Sequence, residues 1–453
     1  MSHKYSLLFF ILLIIFQIAL GENIVLNFKT NINSDSLNEE NYMKSTMEQQ
    51  IYVDMKIGES KQVIPMTLKT MKYPTFIVSL NSQEKDITIK YDESKSPNSF
   101  KKLNQDEIKN LFIYDFTQGY YVSDSLELEN SKYNNFRYIL ATKMNGIAKN
   151  ISGEIGLSKK TENKLNYKYP QSTNFIQQLT ENKKISKKIF GIKYDTDYSG
   201  RFIIGETLDE VDSQYKKEEA ITSKIDNQVP NNNKDDWLIK FNINFKKDLN
   251  EEYKESSYGF LQYEIGLIFG SDNYRNNFIT NYFQNKQCKE SVINSSPYSF
   301  YQYTCDNKNQ FEDFPDLYLS LDEKHNFILT KNDLFKKVGN KYFFLVVFQV
   351  TQMNVNFWRL GQLFFKKYPI FLSYDDENDS TIIYYTTNKE KIDGGSNSGL
   401  TIALAILIPL IVIGLVLFLI YHYRKRNKKA DELLSDNPGT NNENNYQIVD
   451  NNQ

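Results

Sequence analysis

The sequence predicts an all-β fold, and three observations carry that expectation. Short stretches rich in β-branched and aromatic residues alternate apolar with polar positions, as in Glu22–Lys29 (ENIVLNFK) and Ile87–Tyr91. Aromatic residues make up 14% of the chain, with 32 Tyr and 31 Phe, a content that suits packed sheets and excludes a disordered polymer. Gly58-Glu59-Ser60-Lys61 forms a turn signal between two such stretches, Tyr52–Ile57 and Val63–Leu68, so a hairpin is expected there. At 453 residues the chain is long enough for two or three domains with a substantial core.

The ends carry targeting patterns. Lys4 precedes the apolar run Leu7–Phe16, and Ala19-Leu20-Gly21 offers a small-x-small cleavage site, so residues 1–21 read as a signal peptide. Leu400–Tyr421 is apolar around Pro409 and is followed by Arg424-Lys425-Arg426 and Lys428-Lys429. That pattern predicts one C-terminal transmembrane helix over 400–421 with a cytoplasmic tail over 422–453. The expectation is a single-pass type I membrane protein at the cell surface or an endomembrane, its ectodomain extracellular or lumenal. In an oxidising compartment the two cysteines, Cys288 and Cys305, are expected to form a disulfide. Asn150, Asn294 and Asn378 head glycosylation sequons. In the tail, Tyr446-Gln447-Ile448-Val449 resembles a tyrosine sorting signal, with Tyr446 and Val449 as the residues a clathrin adaptor would read.

Several chemistries find no residues here. A net charge of −2 with dispersed basic residues gives no nucleic-acid signature. His325 is the only histidine between the leader and the apolar run, which leaves no Ser/His/Asp arrangement and no histidine metal cluster. No phosphate-binding glycine loop is present, and no cofactor is expected.

From Ile57 to Ser79 the chain resembles the first active-site hairpin of the pepsin-like aspartic peptidases (the A1 type). In that family Ile-Gly-Thr-Pro-x-Gln is followed by Asp-Thr-Gly-Ser-Ser-x-x-Trp-Val-x-Ser. Laid over this sequence without a gap, the glycine falls on Gly58, the glutamine on Gln62, the tryptophan on Phe76 and the last serine on Ser79. The aspartate falls on Lys69, its threonine on Thr70 and its glycine on Met71. Ile113–Leu128 resembles the flap hairpin, with Tyr114 at the flap tyrosine and only Gly119 left of its glycines. Ser152–Ser158, Gly200–Glu206, Phe311–Leu321 and Trp358–Phe371 resemble later family segments in family order, with Gln362 in place of an aspartate. The second active hairpin is placed at Glu264–Asp272. With Gly270 on the family glycine, the aspartate position is Ile268. The resemblance runs from Tyr52 to Tyr385.

The resemblance implies two β lobes around a cleft: an N-terminal lobe over 22–212, a linker over 213–236 and a C-terminal lobe over 237–388. It also implies an aspartic endopeptidase scaffold without its chemistry. The family mechanism needs two carboxylates sharing a proton around one water, and a protonated lysine has donors but no acceptor lone pair. The leading expectation is a membrane-anchored pseudopeptidase that binds peptide or protein in the cleft. An active aspartic endopeptidase, or a structural surface protein with a filled cleft, stands as the alternative.

Overall fold

The computed structural model describes residues 23–32, 36–72, 74–109, 116–129, 131–144, 151–159, 173–225, 237–247, 251–295, 298–322, 325–350, 357–374 and 380–385. All of them belong to one compact unit, Met1–Thr387. The expected signal peptide over 1–21, Tyr114, Asn150, Asn378, the 400–421 stretch, Tyr446 and Val449 lie outside the described residues.

The alternation seen in the sequence sets the strands. Ile24–Thr30 and Ile51–Ile57 bury every second side chain and lie antiparallel, with Phe28 opposite Val53. Ile51–Ile57 then turns into Gln62–Lys69, pairing Ile57 with Gln62. The turn requires Gly58: its φ is +78°, and a Cβ there would lie 2.8 Å from the Tyr91 hydroxyl. The expected strand over Ile87–Tyr91 does not form. Tyr91 makes only an isolated bridge to Ser79, and its ring is buried with its hydroxyl donating to Asp124.

Two sheets result. A sheet of 14 strands begins at the Ala220–Lys224 edge and passes through Ile24–Thr30, Ile51–Ile57 and Gln62–Lys69 to the long pair Phe116–Leu128 and Ser131–Met144. A sheet of 11 strands is built around Leu238–Lys247, Glu251–Leu261 and Phe357–Leu360. The boundary between the sheets does not follow the chain. Ala220–Lys224, inside the expected linker, pairs with Ser380–Tyr385, while Ile370–Tyr374 pairs with Ile189–Tyr194. Both late strands thus return to the first sheet. One core runs through both sheets and includes Trp237 and Trp358, each fully buried.

Two expectations are corrected here. The fold is mixed α/β, with 17% helix and 48% strand, and not all-β. Its helices are short and sit at connections, where caps decide: Asn174 accepts from Gln177 N to start Phe175–Glu181, and Ser271 accepts from Tyr274 N ahead of Asp272–Tyr274. The helix Gln362–Lys367 (QLFFKK) has under two turns, too few for a helical period to separate it from the flanking strands. The single-pass type I membrane anchor is also withdrawn. Among the described residues no helix is long and apolar enough to cross a membrane. The run Asp272–Asn285 rises only about 21 Å against a hydrocarbon core of about 30 Å, and it carries Asp272 and Arg275.

Cys288 and Cys305 are joined in a disulfide, with Cα atoms 4.5 Å apart. It ties the end of that helical run to the strand Tyr298–Cys305.

Candidate functional site

Two strand ends meet with matching geometry. Gln62–Lys69 runs parallel to Gly153–Gly156, with Lys69 opposite Gly156, and Leu157 N donates to Lys69 O at 2.9 Å. Glu251–Leu261 runs parallel to Phe357–Leu360, with Leu261 opposite Leu360, and Gln262 N donates to Leu360 O at 3.0 Å. One step further along that register, Gln262 stands to Gly361 as Lys69 stands to Gly156. The next short strands repeat the relation: Phe76 pairs with Glu154 and Phe269 with Arg359, each two residues before its glycine. Gly361 is required by closeness, since a Cβ would lie 2.1 Å from Leu267 O and 2.4 Å from Ile265 O.

The two ends are tied through Thr70. Its hydroxyl lies 2.9 Å from Leu261 O and accepts from Tyr263 N at 3.3 Å. The same oxygen lies 2.8 Å from Glu264 Oε2, so its single proton serves either Leu261 or Glu264 at one time. Glu264 is held in addition by two backbone donors, Thr70 N to Oε2 at 3.1 Å and Met71 N to Oε1 at 2.9 Å. Gln362 supports the second loop from below. Its Nε2 donates to Tyr263 O and Gln49 O, both at 2.8 Å, and its Oε1 accepts from the Tyr194 hydroxyl at 3.0 Å. Burial, with Glu264 nearby, pushes the Tyr263 phenol well above its ordinary range.

Lys69 is buried, and its Nζ lies 3.6 Å from Glu154 Oε1. Both side chains are almost fully withdrawn from solvent, at 10% and 2% exposure. Gln262 is a buried, neutral amide. Ile268 is not brought to this meeting point. It lies fully buried on the strand Ile268–Phe269, between Phe357–Leu360 and Val346–Gln349, and packs in the core. By register, the position in the second sheet that corresponds to Lys69 is Gln262. The sequence signal for it is the apolar pair Phe260-Leu261 before a polar residue, and it is masked because Glu264 stands where the pattern leads one to look for glycine. Anchoring on Gly270 instead shifts the alignment by six residues.

Beside these loops opens a groove of about 1110 Å³. Its walls include Tyr52, Pro65, Thr67, Ile89, Ile151, Ile265, Phe269, Tyr298 and Phe300, and its charged lining includes Glu264 and Arg359. Burial holds the Arg359 guanidinium below its ordinary pKa, opposed by Tyr298 and Glu264. Among the described residues no group of three or more His, Cys, Asp and Glu side chains is arranged to hold a metal ion. Asn294, the one sequon residue described, is exposed on the strand Lys289–Ser295, and its Oδ1 accepts from Ser299 Oγ at 2.7 Å.

Comparison with known families gives one match: the model for eukaryotic aspartyl protease covers residues 50–383. No curated protein matches the chain.

Proposed function

The chain belongs to the pepsin-like aspartic peptidase family, and we propose that this member holds peptide or protein segments in its groove without cutting them. The observation that carries the reading is the pair at the meeting strand ends. We take Lys69 and Gln262 to occupy the two positions where the family places its aspartates. General acid–base catalysis by that family requires one ionised and one protonated carboxyl around a water. Lys69 brings a cation already facing Glu154, and Gln262 brings an amide with no titratable proton. Glu264 does bring a carboxylate to the rim, but both its oxygens accept from the Thr70 and Met71 amides. The groove meanwhile stays open, with a mixed lining in which Ile265, Phe269, Tyr298 and Phe300 stand among polar and charged side chains, as an extended chain would need.

The deciding experiment is cleavage of a denatured protein substrate by the purified chain, from about pH 2 to about pH 7, with and without a transition-state inhibitor of aspartic peptidases. No inhibitor-sensitive turnover is expected from the unmodified chain or from Lys69→Asp alone, which has no proton-sharing partner. Inhibitor-sensitive turnover by the unmodified chain would make it an active endopeptidase and end this reading.

A further inference from the structure

Arg359 is the unusual charge of the groove. It projects from Phe357–Leu360 opposite Phe269, and its guanidinium carbon lies 5.7 Å from the ring centres of both Phe269 and Phe357. Among the described residues that half-buried guanidinium makes no ion pair and no hydrogen bond. Among the other charges lining the groove, Lys29 faces Asp54 at 3.1 Å, Glu48 accepts from Ser295 Oγ at 2.9 Å, Glu264 is held by backbone amides, and Lys44 stands exposed to solvent. Glu264 reaches Arg359 only through its field.

A cation drawn out of water is ordinarily matched by a hydrogen-bonded counter-charge. Here two aromatic rings flank the guanidinium, and Arg359 lines the groove. A carboxylate is the group that a guanidinium fits best, through two parallel charge-assisted hydrogen bonds. The neighbouring walls, Ile265, Phe300 and Tyr298, call for apolar residues beside it. We propose that the groove selects extended segments bearing an acidic side chain flanked by apolar ones, with Arg359 receiving the carboxylate. This rests on the peptide-holding reading above.

The test incubates the purified full chain with a pool of random octapeptides, acetylated and amidated so that only side chains carry charge. Retained peptides are sequenced by mass spectrometry. Asp and Glu should be enriched at one position among apolar neighbours. For a retained acidic peptide, exchanging its Glu for Gln should weaken binding by about ten-fold, and added salt should narrow that gap. Arg359→Gln should bind the Glu and Gln versions equally, while Arg359→Lys keeps part of the preference. Retention of peptides without acidic enrichment, or a preference that survives Arg359→Gln, overturns this inference and leaves peptide holding intact. Retention of no peptide at all overturns peptide holding, and this inference with it. Should Arg359→Gln not fold, as judged by its melting curve, the Glu/Gln comparison and its salt dependence on the unmodified chain still decide.

Discussion

Replacing Lys69 by Met isolates the buried pair that stands where catalysis would need a carboxylate. At 3.6 Å and an effective dielectric of about 20, the attraction between Lys69 and Glu154 is about 4–5 kcal/mol. Most of that is offset by the desolvation of two charges, so the intact pair adds little net stability. Deleting one half is different. Glu154, at 2% exposure, is left with a charge that water cannot reach, and the expected loss is about 3–5 kcal/mol. Lys69→Met combined with Glu154→Leu should recover most of it, since two apolar side chains of similar volume remove both desolvation terms. The assay is a double-mutant cycle in urea, read by tryptophan fluorescence. The chain has only two tryptophans, Trp237 and Trp358, and both are fully buried. Circular dichroism should follow the same transition, which tests whether one free energy describes it. A loss under about 1 kcal/mol for Lys69→Met, with no coupling to Glu154, would refute the claim that the pair neutralises a buried cation.

Further outcomes follow from other contacts. Thr70→Val removes the hydroxyl between Leu261 O and Tyr263 N, and should destabilise by about 1–3 kcal/mol, with Thr70→Ser restoring most of it in thermal melts. The Cys288–Cys305 disulfide spans a separation of 17 residues, so replacing both cysteines by Ser should lose about 3 kcal/mol on the loop-entropy model, and denatured, non-reduced protein should show no free thiol from this pair. Asp212 is pushed up by burial but pulled down further by Arg201, Gln214 N and Lys193, so its folded pKa lies below 3.8. Its contribution is therefore fully present above that value and is lost as pH falls through the lower folded value; Asp212→Asn should flatten the acid limb of melting temperature against pH. Lys69→Asp with Gln262→Asp rebuilds a carboxylate pair, yet Met71 and Glu264 still crowd the two turns, and no more than trace inhibitor-sensitive turnover is expected in the cleavage assay.

The sequence by itself determined the hairpin at Gly58, the family and the alternation of strands such as Ile24–Thr30 and Ile51–Ile57, though not the absence of a strand at Ile87–Tyr91. These are local or ordered along the chain: alternation places Ile51, Val53, Met55 and Ile57 on one buried face, and Gly58 is needed by its own φ. An ungapped pattern with Gly58 and Gln62 fixed the register in which Lys69 was read, and Lys69 ends the strand Gln62–Lys69. Phe175-Ile176-Gln177-Gln178-Leu179 reads at helical spacing and does form the helix Phe175–Glu181, whereas Asp272–Tyr274 was not legible, since a cap such as Ser271 fixes so short a helix more than any periodicity does. Only the tertiary structure showed which residue of the second sheet corresponds in register to Lys69. The second loop lacks the glycine that would mark it, so nothing local distinguishes Gln262 from Ile268. The Thr70 hydroxyl bridging to Leu261 and Tyr263, residues far away in the chain, makes the choice. The same holds for Arg359: a lone arginine between Trp358 and Leu360 reads as a solvated strand residue until Phe269, Phe357 and the groove close around it. Contacts between distant segments carry no local signature, because each partner is chosen by the space the other leaves.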